Sequence, residues 1–136
     1  MNKDYRYKLN KVLASNMKWP MIVQGANLED FDNAVVIPAN IDSRALGVLN
    51  LKDGFKYPTW LVRLNTASKN SNNSILLIDG LDELEKQDQS KFYSILKHKC
   101  INGATLPSNS QVVVSVKDIN NVDNILRFLC LIYKVA

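Results

Sequence analysis

The chain is poor in the residues that staple small secreted proteins or hold metals. Cysteine occurs twice in 136 residues, as Cys100 and Cys130, in no CxxC spacing and each beside apolar neighbours. Both read as small hydrophobes, so neither a disulfide framework nor a thiolate metal site is indicated, and a reducing, cytoplasmic location is expected. Histidine occurs once, as His98 at a lysine-rich helix end. With no second ligand or triad partner it reads as a surface residue, which argues against a zinc site or a histidine-dependent nucleophile. No apolar run reaches the roughly 20 residues of a membrane span. The polar opening Met-Asn-Lys-Asp-Tyr-Arg lacks the apolar core of a secretory signal, so no membrane role is expected.

Charge of one sign is also scarce: 17 basic against 13 acidic residues give +4, with no sustained basic run. Nucleic acid is therefore disfavoured as a partner. The densest basic cluster, Lys3, Arg6, Lys8, Lys11 and Lys18, is interleaved with Tyr5, Tyr7 and Trp19, a pattern that suits single-stranded nucleic acid. Leu9, Val12 and Leu13 fall at helical spacing beside Tyr5, so an amphipathic helix with a solvated face explains the same residues.

The chain is 46% hydrophobic, enough for one compact domain over residues 1–136. Residues 4–16 read as a helix, Met21-Ile22-Val23 as a first strand ended by Gln24-Gly25, and Ala34-Val35-Val36-Ile37 as a second closed by Pro38. Residues 41–54 fit a short helix capped by Asp42 or Ser43, or a loop or hairpin. Pro58 opens a helix with Trp60, Leu61 and Leu64 on one face. Ser74-Ile-Leu-Leu-Ile-Asp79 has no alternation, as a parallel strand buried on both faces requires. A helix over 85–99, a loop around Gly103, Pro107 and Asn109, a strand over 111–116, a short helix over 120–126 and a last strand over 128–133 complete the pattern. The expected fold is α/β: a single three-layer domain with a mainly parallel sheet of about five strands. Ligands of such folds gather at the carboxyl ends of the strands.

The sharpest local signal lies there: Ile75-Leu-Leu-Ile-Asp79-Gly80-Leu-Asp82-Glu83. Asp79, ending a buried strand, can hold the water shell of Mg²⁺, and Asp82 or Glu83 can orient or deprotonate a water. A strand-end turn cap for Asp79, and an acidic first helical turn for Asp82 and Glu83, explain the same residues.

The stretch resembles the Walker B motif of P-loop NTPases, and its Asp-Gly-Leu-Asp-Glu ending resembles that of NACHT proteins. Tyr57-Pro58-Thr59-Trp60-Leu61, then Asn102-Gly103-Ala-Thr-Leu106-Pro107-Ser-Asn109 before a strand, then Ile125-Leu126-Arg127-Phe128, are similar in kind and order to AAA+ ATPases of the MoxR type. The resemblance spans residues 35–135 and implies a P-loop NTPase-like fold, the AAA+ core without its lid. It places Asp79 at the metal, Asp82 and Glu83 at catalysis, and Gly25 and Lys117 at the nucleotide. It also points to Arg127 as a residue acting across a subunit boundary, for which a structural salt bridge is the plainer role.

The pattern is incomplete. No G-x-x-x-x-G-K-[ST] string exists to cradle phosphates. Gly25 is followed by Ala-Asn-Leu-Glu-Asp-Phe-Asp, acidic where phosphate belongs, and the segment before the second strand is too short for the usual helix. Gly80 follows Asp79 where AAA+ proteins carry glutamate. The expectation is a degenerate AAA+-like domain with no cofactor, acting as a non-catalytic binding or regulatory module for a protein partner, a related ATPase or a second copy. The alternative is a small Mg²⁺-dependent ATPase with a non-standard phosphate site.

Overall fold

The computed structural model describes residues 3–52 and 54–135, without the side chains of Lys3, Asp4 and Asn50. The first two residues of the polar opening and the terminal Ala136 lie outside the described residues. The elements are α1 (Lys3–Ser15), β1 (Met21–Gln24), β2 (Ala34–Pro38), α2 (Ser43–Leu46), β3 (Leu49–Leu51), β4 (Gly54–Lys56), α3 (Thr59–Lys69), β5 (Ser74–Asp79), α4 (Tyr93–His98), β6 (Cys100–Ile101), β7 (Ala104–Thr105), β8 (Ser110–Val116), α5 (Asn124–Leu129) and β9 (Leu131–Lys134).

Five strands form one parallel sheet in the order β2-β5-β8-β1-β9. The expected α/β architecture and sheet of about five strands are present. β5 and β8 are buried along nearly their whole length, which is why their sequences do not alternate. The two-residue period still sorts their side chains. Ile22, Val35, Ile37, Leu76, Ile78, Val112 and Val114 face Trp60, Leu61 and Leu64 of α3, Ile95 and Leu96 of α4 and Leu126 of α5. Met21, Val23, Ile75, Leu77 and Val113 face the other way, onto Leu9 and Leu13 of α1 and onto Phe31.

Several boundaries differ from the sequence expectation. Residues 41–54 are both short helix and hairpin: Asp42 Oδ1 accepts from Arg44 N at 2.8 Å to start α2, and β3 pairs with β4. The helix expected over 85–99 is a 3-10 segment, Lys86–Phe92, followed by the short α4. Residues 86–91 offer no apolar face; instead buried Gln89 donates to Leu84 O (3.1 Å) and Asn121 O (2.8 Å) and accepts from Asp123 N (2.8 Å), winding the chain tightly around itself. Asp123 caps α5 by accepting from Ile125 N at 2.8 Å, so that helix starts later than expected and β9 begins at Leu131 rather than 128. The loop around Gly103 holds the small β6–β7 hairpin, turned by Asn102 (φ 47°) and Gly103 (φ 84°).

The crossover from β1 to β2 is the unusual connection. It must pass the widths of β8 and β5, about 14 Å laterally, and return along the strand direction. Residues 25–33, roughly nine, can span that distance only in largely extended form. They carry a single 3-10 turn, Leu28–Asp30. The helix that covers this face of the sheet comes instead from the start of the chain, as α1.

Candidate site at the strand ends

Gly25 begins this strap, with φ 94°, a conformation glycine adopts without strain. Its N–H donates to Val116 O at 3.1 Å, closing β1 onto β8. Four of the amides that follow are also taken. Asn27 N donates to Asp30 Oδ2 (2.8 Å), Asp30 N to Asn27 O (3.0 Å), Phe31 N to Leu28 O (3.3 Å) and Asp32 N to Asn10 Oδ1 on α1 (3.1 Å). A phosphate cradle needs successive N–H groups converging on open space; here the amides of Gly25, Asn27, Asp30, Phe31 and Asp32 are spent on the chain itself.

The acidity of the strap also differs in role from the expectation. Asp30 is buried, and its carboxylate receives the Tyr5 hydroxyl as well as Asn27 N, while its carbonyl receives Asn10 Nδ2 at 2.7 Å. It clamps α1 to the strap rather than facing an incoming anion. Burial pushes the Tyr5 phenol above its ordinary range, and the hydrogen bond and charge of Asp30 push it further.

Asp79 closes β5, where Ala39 N donates to its carbonyl at 2.8 Å. Gly80 follows in the left-handed region (φ 82°) and turns the chain into the 3-10 segment Leu81–Glu83, with Leu81 driven fully into the core. The turn folds Glu83 back over Gly80: a Cβ on that glycine would lie 3.2 Å from Glu83 Oε2. Asp79 and Glu83 thus share a small cavity of about 270 Å³, completed by Pro38 and Asn40. Burial raises the Asp79 carboxyl above the usual carboxylate range, the Glu83 and Asp82 charges raise it further, and Lys117 partly opposes them.

Asp82 is positioned differently. Its Oδ2 accepts from Lys117 N (3.1 Å) and Asp118 N (2.9 Å), and Gln24 Oε1 accepts from the next amide, Ile119 N (3.0 Å). The row of donors after β8, the place where an anion would be met, is filled by the chain's own side chains. Asp82 is a tether between β5 and β8, and the Lys117 side chain is exposed beside it.

The five sequence-predicted site residues therefore separate. Asp79 and Glu83 come together, Asp82 joins the backbone of Lys117, and Gly25 lies beyond β8 from Asp79, since β8 stands between β5 and β1. The cavity at Asp79 is lined from the β2 side by Pro38, Ala39 and Asn40, and Gly25 is not among its lining residues. Asn40, which the sequence reading did not single out, lines it; only the pairing of Pro38 with Asp79 across β2 and β5 brings it there. Arg127 is partly buried on α5.

Two carboxylates in one cavity suit a hydrated divalent cation, which prefers oxygen ligands. The other half of a nucleotide site does not fit: the strap has no lysine, its only helical segment is the 3-10 turn Leu28–Asp30, and the amides of Gly25, Asn27, Asp30, Phe31 and Asp32 are spent within the chain. No step through ATP follows from this arrangement.

No protein-family model matches the chain, and no curated protein matches it in sequence. Among solved structures it is similar to a DNA polymerase III gamma subunit-related protein from Thermotoga maritima, with a TM-score of 0.60 and 12% identity. The match covers 98% of this chain and 46% of that one, so this chain spans about half the length of that protein. At this identity the likeness speaks to the fold alone, and it agrees with the α/β architecture and its mainly parallel five-stranded sheet. Among the described residues no helix is long and apolar enough to cross a membrane.

Proposed function

We propose that this AAA+-like domain is a non-catalytic binding or regulatory module rather than an ATPase. The observation that carries the reading is the strap: where a phosphate loop and its helix would stand, residues 25–33 cross directly to β2, and the amides of Gly25, Asn27, Asp30, Phe31 and Asp32 bond within the chain and to α1. Nucleotide affinity in P-loop proteins rests on a glycine-lysine loop and on the helix N-terminus behind it; residues 25–33 carry no lysine and only a 3-10 turn. Asp79 is then a relic of the metal position, retained as a strand-end turn.

A protein partner, a related ATPase or a second copy, is supported by the far edge of the sheet. Ile125 and Phe128 of α5 stand out beside Leu131 and Ile132 of the edge strand β9, and Phe128 is 90% exposed. Patches of this kind mark interaction sites more often than chance. The two free cysteines accord with a cytoplasmic setting; burial pushes the Cys130 thiol up to about 12 and leaves it inert.

The ATPase reading has the shared cavity of Asp79 and Glu83 in its favour. Calorimetric titration with Mg²⁺-ATP separates the two. No heat and no thermal stabilisation are expected at millimolar nucleotide, whereas micromolar binding abolished by Asp79→Ala would overturn the proposal.

A further inference from the structure

A cavity of about 610 Å³ lies away from the strand ends, between α2, the β3–β4 hairpin and the start of α3. Its back wall is rigid: Trp60 is buried, and its indole Nε1 donates to Leu46 O at 3.0 Å. Arg44, Lys56 and Arg63 line it from three different elements, and none forms an ion pair among the described residues. The one carboxylate in the lining, Asp42, already accepts from the backbone at the start of α2. Three like charges around one trough repel one another until an anion enters.

The remaining walls say which anion. Tyr57 lines the trough with its ring half exposed, and β4 is exposed along its whole length, so the hairpin projects as an arm. Arginine forks match phosphate oxygens in pairs, and a half-exposed aromatic ring offers a stacking surface for a base. Arg44, Lys56, Tyr57 and Arg63 are all exposed, where a small-molecule site would enclose most of its ligand. We infer that this trough binds single-stranded nucleic acid, with Arg44, Lys56 and Arg63 on successive phosphates and Tyr57 stacked on a base. The inference is independent of the strand-end site. It also differs from a role for α1, whose Leu9 and Leu13 are packed on the sheet and whose Tyr5 is bound to Asp30.

The test is fluorescence anisotropy with a labelled oligothymidylate of about 20 nucleotides, run beside a labelled polyglutamate peptide. The oligonucleotide is expected to bind saturably, with a log-log salt slope of about −2 for three phosphate contacts on a single strand. Arg44→Ala, Lys56→Ala and Arg63→Ala each weaken binding and flatten the slope by about 0.7. Tyr57→Ala weakens binding about tenfold at unchanged slope. All four residues are exposed, so the variants keep the wild-type melting curve. Lys8→Ala with Lys11→Ala on α1 leaves affinity unchanged. No saturable binding at low salt, equal affinity in the Arg44, Lys56 and Arg63 triple variant, or displacement of the oligonucleotide by tighter-binding polyglutamate would each overturn the inference.

Discussion

The two faces of the central sheet are covered by different means. On one, α3 and the segments around α4 and α5 arrive through connections between strands, each helix laid over the strands it joins. On the other, among the described residues, no connection supplies an α-helix. α1, which precedes every strand, is laid over Met21, Val23, Leu77 and Val113, and the strap from β1 to β2 is pinned beneath it through Tyr5, Asn10 and Asp30. The difference teaches why the strand ends look half-built. A sheet face must be covered, but the helix that covers it need not follow a phosphate loop, and here it does not.

If α1 is a full substitute, its core leucines should matter as much as those of α3. Leu13→Ala and Leu64→Ala remove side chains buried to 1% and 0% exposure, and each is expected to lower unfolding free energy by about 2–5 kcal/mol. Urea denaturation measures both. A loss below about 1 kcal/mol for Leu13→Ala beside a full loss for Leu64→Ala breaks the equivalence.

The clamp gives the next largest effect. Tyr5→Phe leaves Asp30 buried without its hydroxyl donor and should cost about 1–3 kcal/mol. It also changes the alkaline limb. The folded phenol is raised above its ordinary 10.0, so the stability it contributes is complete below that pH and is lost as pH rises through the folded value. Wild type should therefore lose more stability than Tyr5→Phe above about pH 10. Parallel curves would show that the hydroxyl is not held by Asp30 in solution.

The smallest effect is expected on the acidic side. Asp79 is raised in the folded state, so its neutral form favours folding, and that contribution fades as pH climbs from the unfolded value of 3.8 through the folded one. Asp79→Asn should then be slightly more stable than wild type at neutral pH and equal to it in acid, read from thermal midpoints. A destabilised variant at pH 7 would mean that the ionised carboxylate holds a partner.

The strands of this molecule were legible because burial on both faces leaves an unbroken apolar run, as in Ser74–Asp79. The missing phosphate loop was legible for the opposite reason, since a cradle requires particular residues and residues 25–33 lack them. The role of α1 was not, because a helix that precedes the first strand can pack on either face and local periodicity is silent about which. Asp82 read as an acidic first turn because its real partners, the amides of Lys117 and Asp118, are remote in sequence. The cationic trough escaped for a similar reason: Arg44, Lys56 and Arg63 are spread over three elements and form no run. Asn102-Gly103, by contrast, is a hairpin turn signal in plain view, and it turns β6 into β7.

Native-state hydrogen exchange tests the central claim, that α1 and the strap together stand where a phosphate-loop helix would. The amides of Leu13 in α1 and Leu64 in α3 are predicted to exchange with the same opening free energy, that of global unfolding, and to be unaffected by Mg²⁺-ATP. Exchange of Leu13 through a much cheaper local opening, with protection altered by nucleotide, would contradict it.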